Sequence, residues 1–145
     1  FNENLDDFLL HAETKPSVIQ VECHPYFAQH ELKKKLAVFG TVVESWYPLG
    51  HGDPALLNEP IFVELGRKYR KTPAQVILRW HIQEGNIVFP KSTNLQHLKD
   101  NIDIFDFELT DGEMAKIAKL DCGKRYFTLN LKEQEAHLSA FRPAD

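Results

Sequence analysis

The chain has 145 residues, with 17 basic and 21 acidic side chains and a formal charge of −4. Hydrophobic residues make up 43% and charged residues 26%, an ordinary globular balance that excludes disorder as the main state. There is no basic block for nucleic acid, no apolar run near the roughly 18 residues of a membrane span, and no signal-peptide pattern, and two cysteines are too few for a disulfide scaffold, so a cytoplasmic setting is expected.

Residues 4–13 place Leu5, Phe8, Leu9 and Ala12 at helical spacing, with Asn2 or Asn4 as cap and Lys15-Pro16 as the stop. Residues 17–23 form a β-branched run that predicts a strand. After a His24-Pro25-Tyr26-Phe27 loop, residues 29–39 predict a helix with Leu32, Leu36 and Phe39 on one face, closed by Gly40. Residues 41–46 predict a second strand, and Pro48, Gly50, Gly52 and Pro54 make the next stretch a loop. Residues 60–70 predict a helix. Thr72 and Gln75 have the spacing of a capping box, with Pro73 tolerated at the first helical position, for a helix that runs to Gly85. Residues 86–89 predict a third strand, stopped by Pro90. Capping-box spacings at Thr93–Gln96 and Thr110–Glu113 open helices to about Ile102 and Leu120. The tail from Gly123 has no clear period until residues 131–141.

The order αβαβααβαα predicts an α/β fold with parallel strands and right-handed crossovers. A small doubly wound sheet and one sector of a (β/α)₈ barrel both satisfy it. A complete barrel takes about 250 residues, and three strands make a thin free-standing sheet. The chain is therefore expected to be the C-terminal portion of something larger, residues 1–145 forming a single segment.

Val88-Phe89-Pro90-Lys91-Ser92-Thr93-Asn94 is the strongest chemical feature. A strand end, a fixed cation and free N–H groups at a helix start make a phosphate site; the competing reading is a solvated turn with an ordinary cap. Trp46, at the end of the second strand, either stacks on a flat ligand ring or fills a hydrophobic layer. Gln20 is an amide inside an apolar strand, and a buried amide must find partners. It binds a ligand carboxamide or satisfies a neighbouring strand. Cys23-His24 has no second pair at metal spacing, so no metal site is expected. No nucleophile elbow surrounds a serine, and no GxGxxG follows a strand.

Gln20-Val21-Glu22-Cys23-His24-Pro25, then Trp46-Tyr47-Pro48-Leu49-Gly50, then Pro90-Lys91-Ser92 with Asp100-Asn101 and Phe105-Asp106-Phe107, resemble the C-terminal portion of an aldo-keto reductase. Lys71-Thr72-Pro73-Ala74-Gln75-Val76 and Leu78-Arg79-Trp80 fit between them. The resemblance implies a parallel (β/α)₈ TIM barrel, of which this chain supplies about the last three strands and their helices, with residues 123–145 as a tail over the barrel mouth. It implies NADPH as cofactor, with NADH possible, a small-molecule carbonyl substrate, and hydride transfer between nicotinamide and carbonyl. The partner it implies is the missing N-terminal half of the barrel, with no role for nucleic acid or membrane.

By matching positions, Gln20 binds the nicotinamide carboxamide and Trp46 stacks on the nicotinamide face. Tyr47, Leu49 and Asp53 fold over the pyrophosphate, with Asp53 paired to Lys91 as a clasp. Lys91, Ser92, Thr93 and Asn94 surround the adenosine 2′-phosphate, and Asp100 and Asn101 contact the adenine. His97 stands where the family commonly has an arginine, and a neutral imidazole does not replace a bidentate guanidinium. The family's catalytic Asp, Tyr, Lys and His have no matching position, so no catalytic residue is assigned. The alternative to an enzyme is a non-catalytic nicotinamide-cofactor-binding module of the same fold.

Overall fold

The computed structural model describes residues 2–130, 132–134 and 136. In chain order the elements are α1 (Asn2–His11), β1 (Val18–Glu22), α2 (His30–Ala37), β2 (Val42–Trp46), a 3₁₀ turn (Gly50–Gly52), α3 (Pro54–Leu57), α4 (Pro60–Tyr69), α5 (Pro73–Gln83), β3 (Ile87–Val88), α6 (Leu95–Ile102) and α7 (Asp111–Ala118). The three strands form one parallel sheet in the order β1-β2-β3. Val18 pairs with Val42 and Glu22 with Trp46, and β3 joins β2 through Glu44–Ile87 and Ser45–Val88.

Side chains alternate across a strand, so the sheet has two faces. Leu9 of α1, Leu36 of α2, and Val21, Cys23 and Val43 form a core on one face, with Leu5, Ile19 and Leu32 packed against it. A second core joins α3, α4, α5 and α7: Leu56 of α3, Phe62 and Leu65 of α4, Val76, Ile77 and Trp80 of α5, and Ile117 of α7. The other face of the sheet lies open over the first residues of the strands. Val18 is 41% and Val42 36% exposed there, and Gln20 shares that face with them.

The capping boxes of α5 and α7 form as predicted, each with both reciprocal bonds. Four local details differ from the sequence reading. Helix α1 already includes Asn2 and Asn4, so neither stands before it as a cap, and it ends at His11, where Lys15 Nζ donates to the Ala12 carbonyl at 2.7 Å. Helix α6 is capped by Asn94, whose Oδ1 accepts from the N–H groups of Gln96 and His97, so the box expected at Thr93 is not built. The stretch after β2 holds the short helix α3, started by Asp53 accepting from Ala55 N–H and by Pro54 at its first position. The third strand is two residues long, Ile87–Val88, and pairs with β2 alone. Residues 137–141 of the tail segment with helical spacing lie outside the described residues.

Candidate functional site

A cleft of about 570 Å³ opens where β2 and β3 end, lined by Gln20, Trp46, Tyr47, Leu49, Phe89 and Lys91 among others. Ligands of parallel α/β folds gather at the carboxyl ends of strands, where the loops diverge. Trp46 stacks on Tyr47, with ring centroids 4.0 Å apart and planes 23° apart. Phe127, from the tail, meets Trp46 edge-on at 5.0 Å. Trp46 and Tyr47 give the cleft an aromatic wall, backed by Phe127, and Lys91 lines the same cleft as an exposed cation. Among the described residues no ion pair engages Lys91.

The turn that presents the wall is held by buried polar groups. Tyr47 and His51 both adopt left-handed backbone, at φ +59° and +57°, which costs energy for residues with a Cβ. His81, fully buried on α5, donates from Nε2 to the Pro48 carbonyl at 3.0 Å and accepts at Nδ1 from Asn86 Nδ2 at 3.0 Å. Burial pushes its pKa down to about 3, so the ring is neutral and keeps one donor and one acceptor, the set this bridge uses. Ser45 Oγ donates to the Cys23 carbonyl and ties β2 to the end of β1.

Gln20 corrects an expectation. It is exposed rather than buried, and its Nε2 donates to Glu44, its partner across the sheet. The amide therefore lines the cleft with its carbonyl oxygen uncommitted among the described residues.

The clasp expected between Asp53 and Lys91 is also not formed. Asp53 Oδ2 accepts from Lys124 Nζ at 2.8 Å and from the Tyr126 hydroxyl at 2.7 Å, while Oδ1 accepts from Ala55 N–H. These three donors, Lys124 foremost, hold its carboxyl at about 2.

The structure brings Gln20, Trp46, Tyr47, Leu49 and Lys91 into one cleft; the other expected residues stand around its rim or beyond. Ser92 Oγ accepts from Asn94 N–H at 3.0 Å, and Asn94 is the α6 cap. Thr93 and His97 are exposed. Asp100 accepts from Gln96 Nε2 at 2.8 Å, and Asn101 Nδ2 donates to the Pro90 carbonyl at 3.3 Å, which anchors α6 to the loop that carries Lys91.

Sequence reasoning passed over Glu22. Its carboxylate is buried at the end of β1, where Oε1 accepts from Tyr126 N–H at 2.5 Å and Oε2 from Phe127 N–H at 3.3 Å. His24 Nε2 lies 3.1 Å from it and Arg125 Nε 3.7 Å. A buried carboxylate demands such donors, and here they fix the tail that brings Phe127 to Trp46. The sequence signal was present: an acid at the end of a β-branched strand, two residues after Gln20 and so on the same side.

The Cys23 thiol is buried and pushed up to about 12, and burial holds the His24 imidazole below its ordinary range. Among the described residues no group of three His, Cys, Asp or Glu side chains is placed to hold a metal ion. Among them too, no helix is long and apolar enough to cross a membrane.

The model of the aldo/keto reductase family matches residues 3–121. An aldo-keto reductase of Mycolicibacterium smegmatis is 44% identical over 123 residues, which cover 85% of this chain and 44% of that protein. A methylglyoxal reductase of Yersinia pestis is 42% identical over 110 residues, covering 76% of this chain and 40% of that protein. A Bombyx mori aldo-keto reductase solved in complex with NADP superposes with a TM-score of 0.79 at 29% identity, over 90% of this chain and 44% of that one. The chain thus spans less than half the length of these relatives.

Proposed function

Because this chain belongs to the aldo/keto reductase family and forms a three-stranded sector of its barrel, we propose that it supplies most of the cofactor site of an NADPH-dependent oxidoreductase that reduces aldehydes or ketones to alcohols. The observation that carries this reading is the cleft itself: an aromatic platform, a carboxamide with its carbonyl oxygen free and a cation unpaired among the described residues, at the carboxyl ends of parallel strands.

That set fits a dinucleotide. A flat ring suits the face of Trp46, a carboxamide suits Gln20, and an anionic group suits Lys91. NADPH, when bound, supplies the hydride. Tyr47 and Leu49 cover the cleft from the turn after β2, and Asp53 ends that turn. Lys91, Ser92, Thr93 and Asn94 hold the 2′-phosphate, with His97 one turn along α6, and Asp100 and Asn101 lie towards the adenine. NADH fits the same cleft with one ionic contact fewer.

Reduction of a carbonyl also needs a proton donor at its oxygen. The hydroxyls of Tyr26, Tyr69 and Tyr126 each donate to a carboxylate, at Glu59, Glu113 and Asp53. Tyr47, the fourth tyrosine, is stacked on Trp46 as part of the platform, and we assign the donor to the rest of the complete protein, together with the remaining barrel strands and the surface that covers the open sheet face. The setting is cytoplasmic, in keeping with the unpaired thiols of Cys23 and Cys122.

The test is oxidation of NADPH by the complete polypeptide in the presence of a reactive aldehyde such as methylglyoxal, followed by the loss of NADPH absorbance. Aldehyde-dependent turnover is expected there and none from the 145-residue chain alone. Tight NADPH binding by the complete polypeptide with no turnover on any carbonyl would replace the enzyme with a cofactor-binding module.

A further inference from the structure

Glu44 is an acid in the middle of β2, half-buried, with Gln20 opposite it on β1 and Ile87 opposite it on β3. A carboxylate in such a place needs a donor. Among the described residues Gln20 is its only hydrogen-bond partner, giving it a bond from Nε2, and no basic side chain forms an ion pair with it. Side chains two residues apart lie on one face of a strand, so Glu44 shares its face with Trp46, and Gln20 shares its own with Glu22, the residue paired with Trp46. The amide, the carboxylate and the aromatic ring therefore stand on one face of the sheet, Gln20 and Glu44 one step before Trp46. Gln20 and Trp46 line the cleft; Glu44 does not, and reaches it through Gln20.

The chemistry of this pair fixes the direction of the amide. A carboxylate oxygen only accepts, whereas a glutamine amide has a donating end and an accepting end. Turned the other way, Gln20 would set its own oxygen against Glu44, two acceptors in contact with no proton between them. The bond to Glu44 takes one of the two N–H groups of Nε2 and leaves Oε1 to the cleft. A ligand group that meets Oε1 must then bring a donor. A carboxamide does. A ketone brings none, and a carboxylate brings a second negative charge as well. A glutamine free to turn over would accept all three.

Resting on the cofactor reading above, we propose that Glu44 is a positioning residue for the pyridine end of the cofactor: by taking the N–H end of Gln20 it keeps the amide oxygen in the cleft, and so makes the site select a 3-carboxamide over rings that carry an acetyl or a carboxylate group in its place. A neighbour that can only accept holds one orientation of the amide, and a neighbour that can accept or donate holds neither. The isosteric change Glu44→Gln therefore keeps the shape of the strand and loses the direction of Gln20.

The test compares three ligands on the complete protein by calorimetry: NADP, its analogue with a 3-acetylpyridine ring, and its analogue with nicotinic acid in place of nicotinamide. The parent is expected to bind NADP about five- to tenfold more tightly than the acetyl analogue, which lacks the donor, and about a hundredfold more tightly than the acid, which sets an anion against Oε1 and Glu44. In Glu44→Gln the preference over the acetyl analogue should fall below about twofold and that over the acid below about tenfold, since the freed amide turns its Nε2 to either. Glu44→Leu, which places an apolar side chain beside Ile87, should relax both preferences in the same way and is the second variant. Adenosine 2′,5′-bisphosphate has no pyridine ring and should bind parent and variants within about twofold, which separates a change at the pyridine end from a loss of the fold. A parent that binds the acetyl analogue as tightly as NADP would overturn the proposal, as would variants that keep the parent's preferences. Relaxation towards the acid alone would show that Glu44 acts by its charge and not by turning Gln20, and would overturn it too. A parent that binds neither NADP nor the bisphosphate would refute the cofactor reading instead.

Discussion

Truncating Trp46 to alanine removes the ring that forms the centre of the aromatic wall. The ring is half-buried, covered by Tyr47 at 4.0 Å and edge-on to Phe127 at 5.0 Å, so part of its surface faces the cleft. An aromatic stacking contact is worth about 0.5–1.5 kcal/mol beyond area burial. Some 50 Å² of ring face removed from water adds about 1.2 kcal/mol. Tyr47 and Phe127 fold partly into the gap and recover some of this, which leaves a net loss of about 1–2 kcal/mol, or a roughly five- to thirtyfold rise in Kd for NADPH. Trp46→Phe keeps a ring in place and should cost less than about fivefold. The assay is titration of the complete protein, read by the emission of the bound cofactor. In the parent, cofactor should also quench Trp46, while Trp80, fully buried on α5, responds less. Unchanged affinity in Trp46→Ala would return this side chain to the hydrophobic layer and remove the platform from the reasoning.

Three further outcomes follow from the same structure. Glu22→Gln removes a carboxylate that accepts from Tyr126 and Phe127, so the tail should loosen by about 1–3 kcal/mol, seen as faster hydrogen exchange at those two amides and little change at α7. His81 has its folded pKa lowered to about 3 from an ordinary 6.5, so between these values the unfolded state binds the extra proton. Stability should therefore be lost as pH falls from about 6.5 towards about 3, and His81→Gln should flatten denaturant midpoints across that window. The isolated 145-residue chain leaves Val18 and Val42 exposed on the sheet and Leu95, Leu98 and Ile102 exposed along α6, so it should associate with rising concentration in sedimentation; a lone monomer with dispersed NMR signals would contradict the fragment reading.

Most of the fold was legible in the residues because local signals agreed with one another. Thr72 with Gln75, and Thr110 with Glu113, are reciprocal caps whose partners lie within one turn, so spacing alone locates them. The same spacing misled at Thr93, because Asn94 is the stronger cap and takes the position. Helix α3 escaped notice since its four residues are too few for a periodic signal; Asp53-Pro54 was its one local mark.

The site divides in the same way. Trp46, Tyr47 and Leu49 are adjacent in sequence, so their meeting in the cleft followed from the end of a strand, and Lys91 joins them because β3 pairs with β2. Gln20 bonds the neighbouring strand, one of its two expected partners, but its burial was misjudged because burial is a tertiary property: its strand reads as apolar, yet it lies on the open part of the sheet. The partners of Asp53 and Glu22 lie more than 70 and 100 residues away, at Lys124, Tyr126 and Phe127, and no spacing rule reaches that far.

The most direct test of the cofactor reading compares NADPH with NADH in Lys91→Met. Lys91 lines the cleft and pairs with no carboxylate among the described residues, so its charge is available to a ligand anion, and only NADPH carries the 2′-phosphate. Dissociation constants for both cofactors are measured by calorimetry on the complete protein and the variant. Loss of one ionic hydrogen-bonded contact, about 1.5–3 kcal/mol, predicts NADPH weakened by roughly ten- to hundredfold and NADH by less than about threefold. Equal weakening of the two, or none of either, would contradict a 2′-phosphate at Lys91.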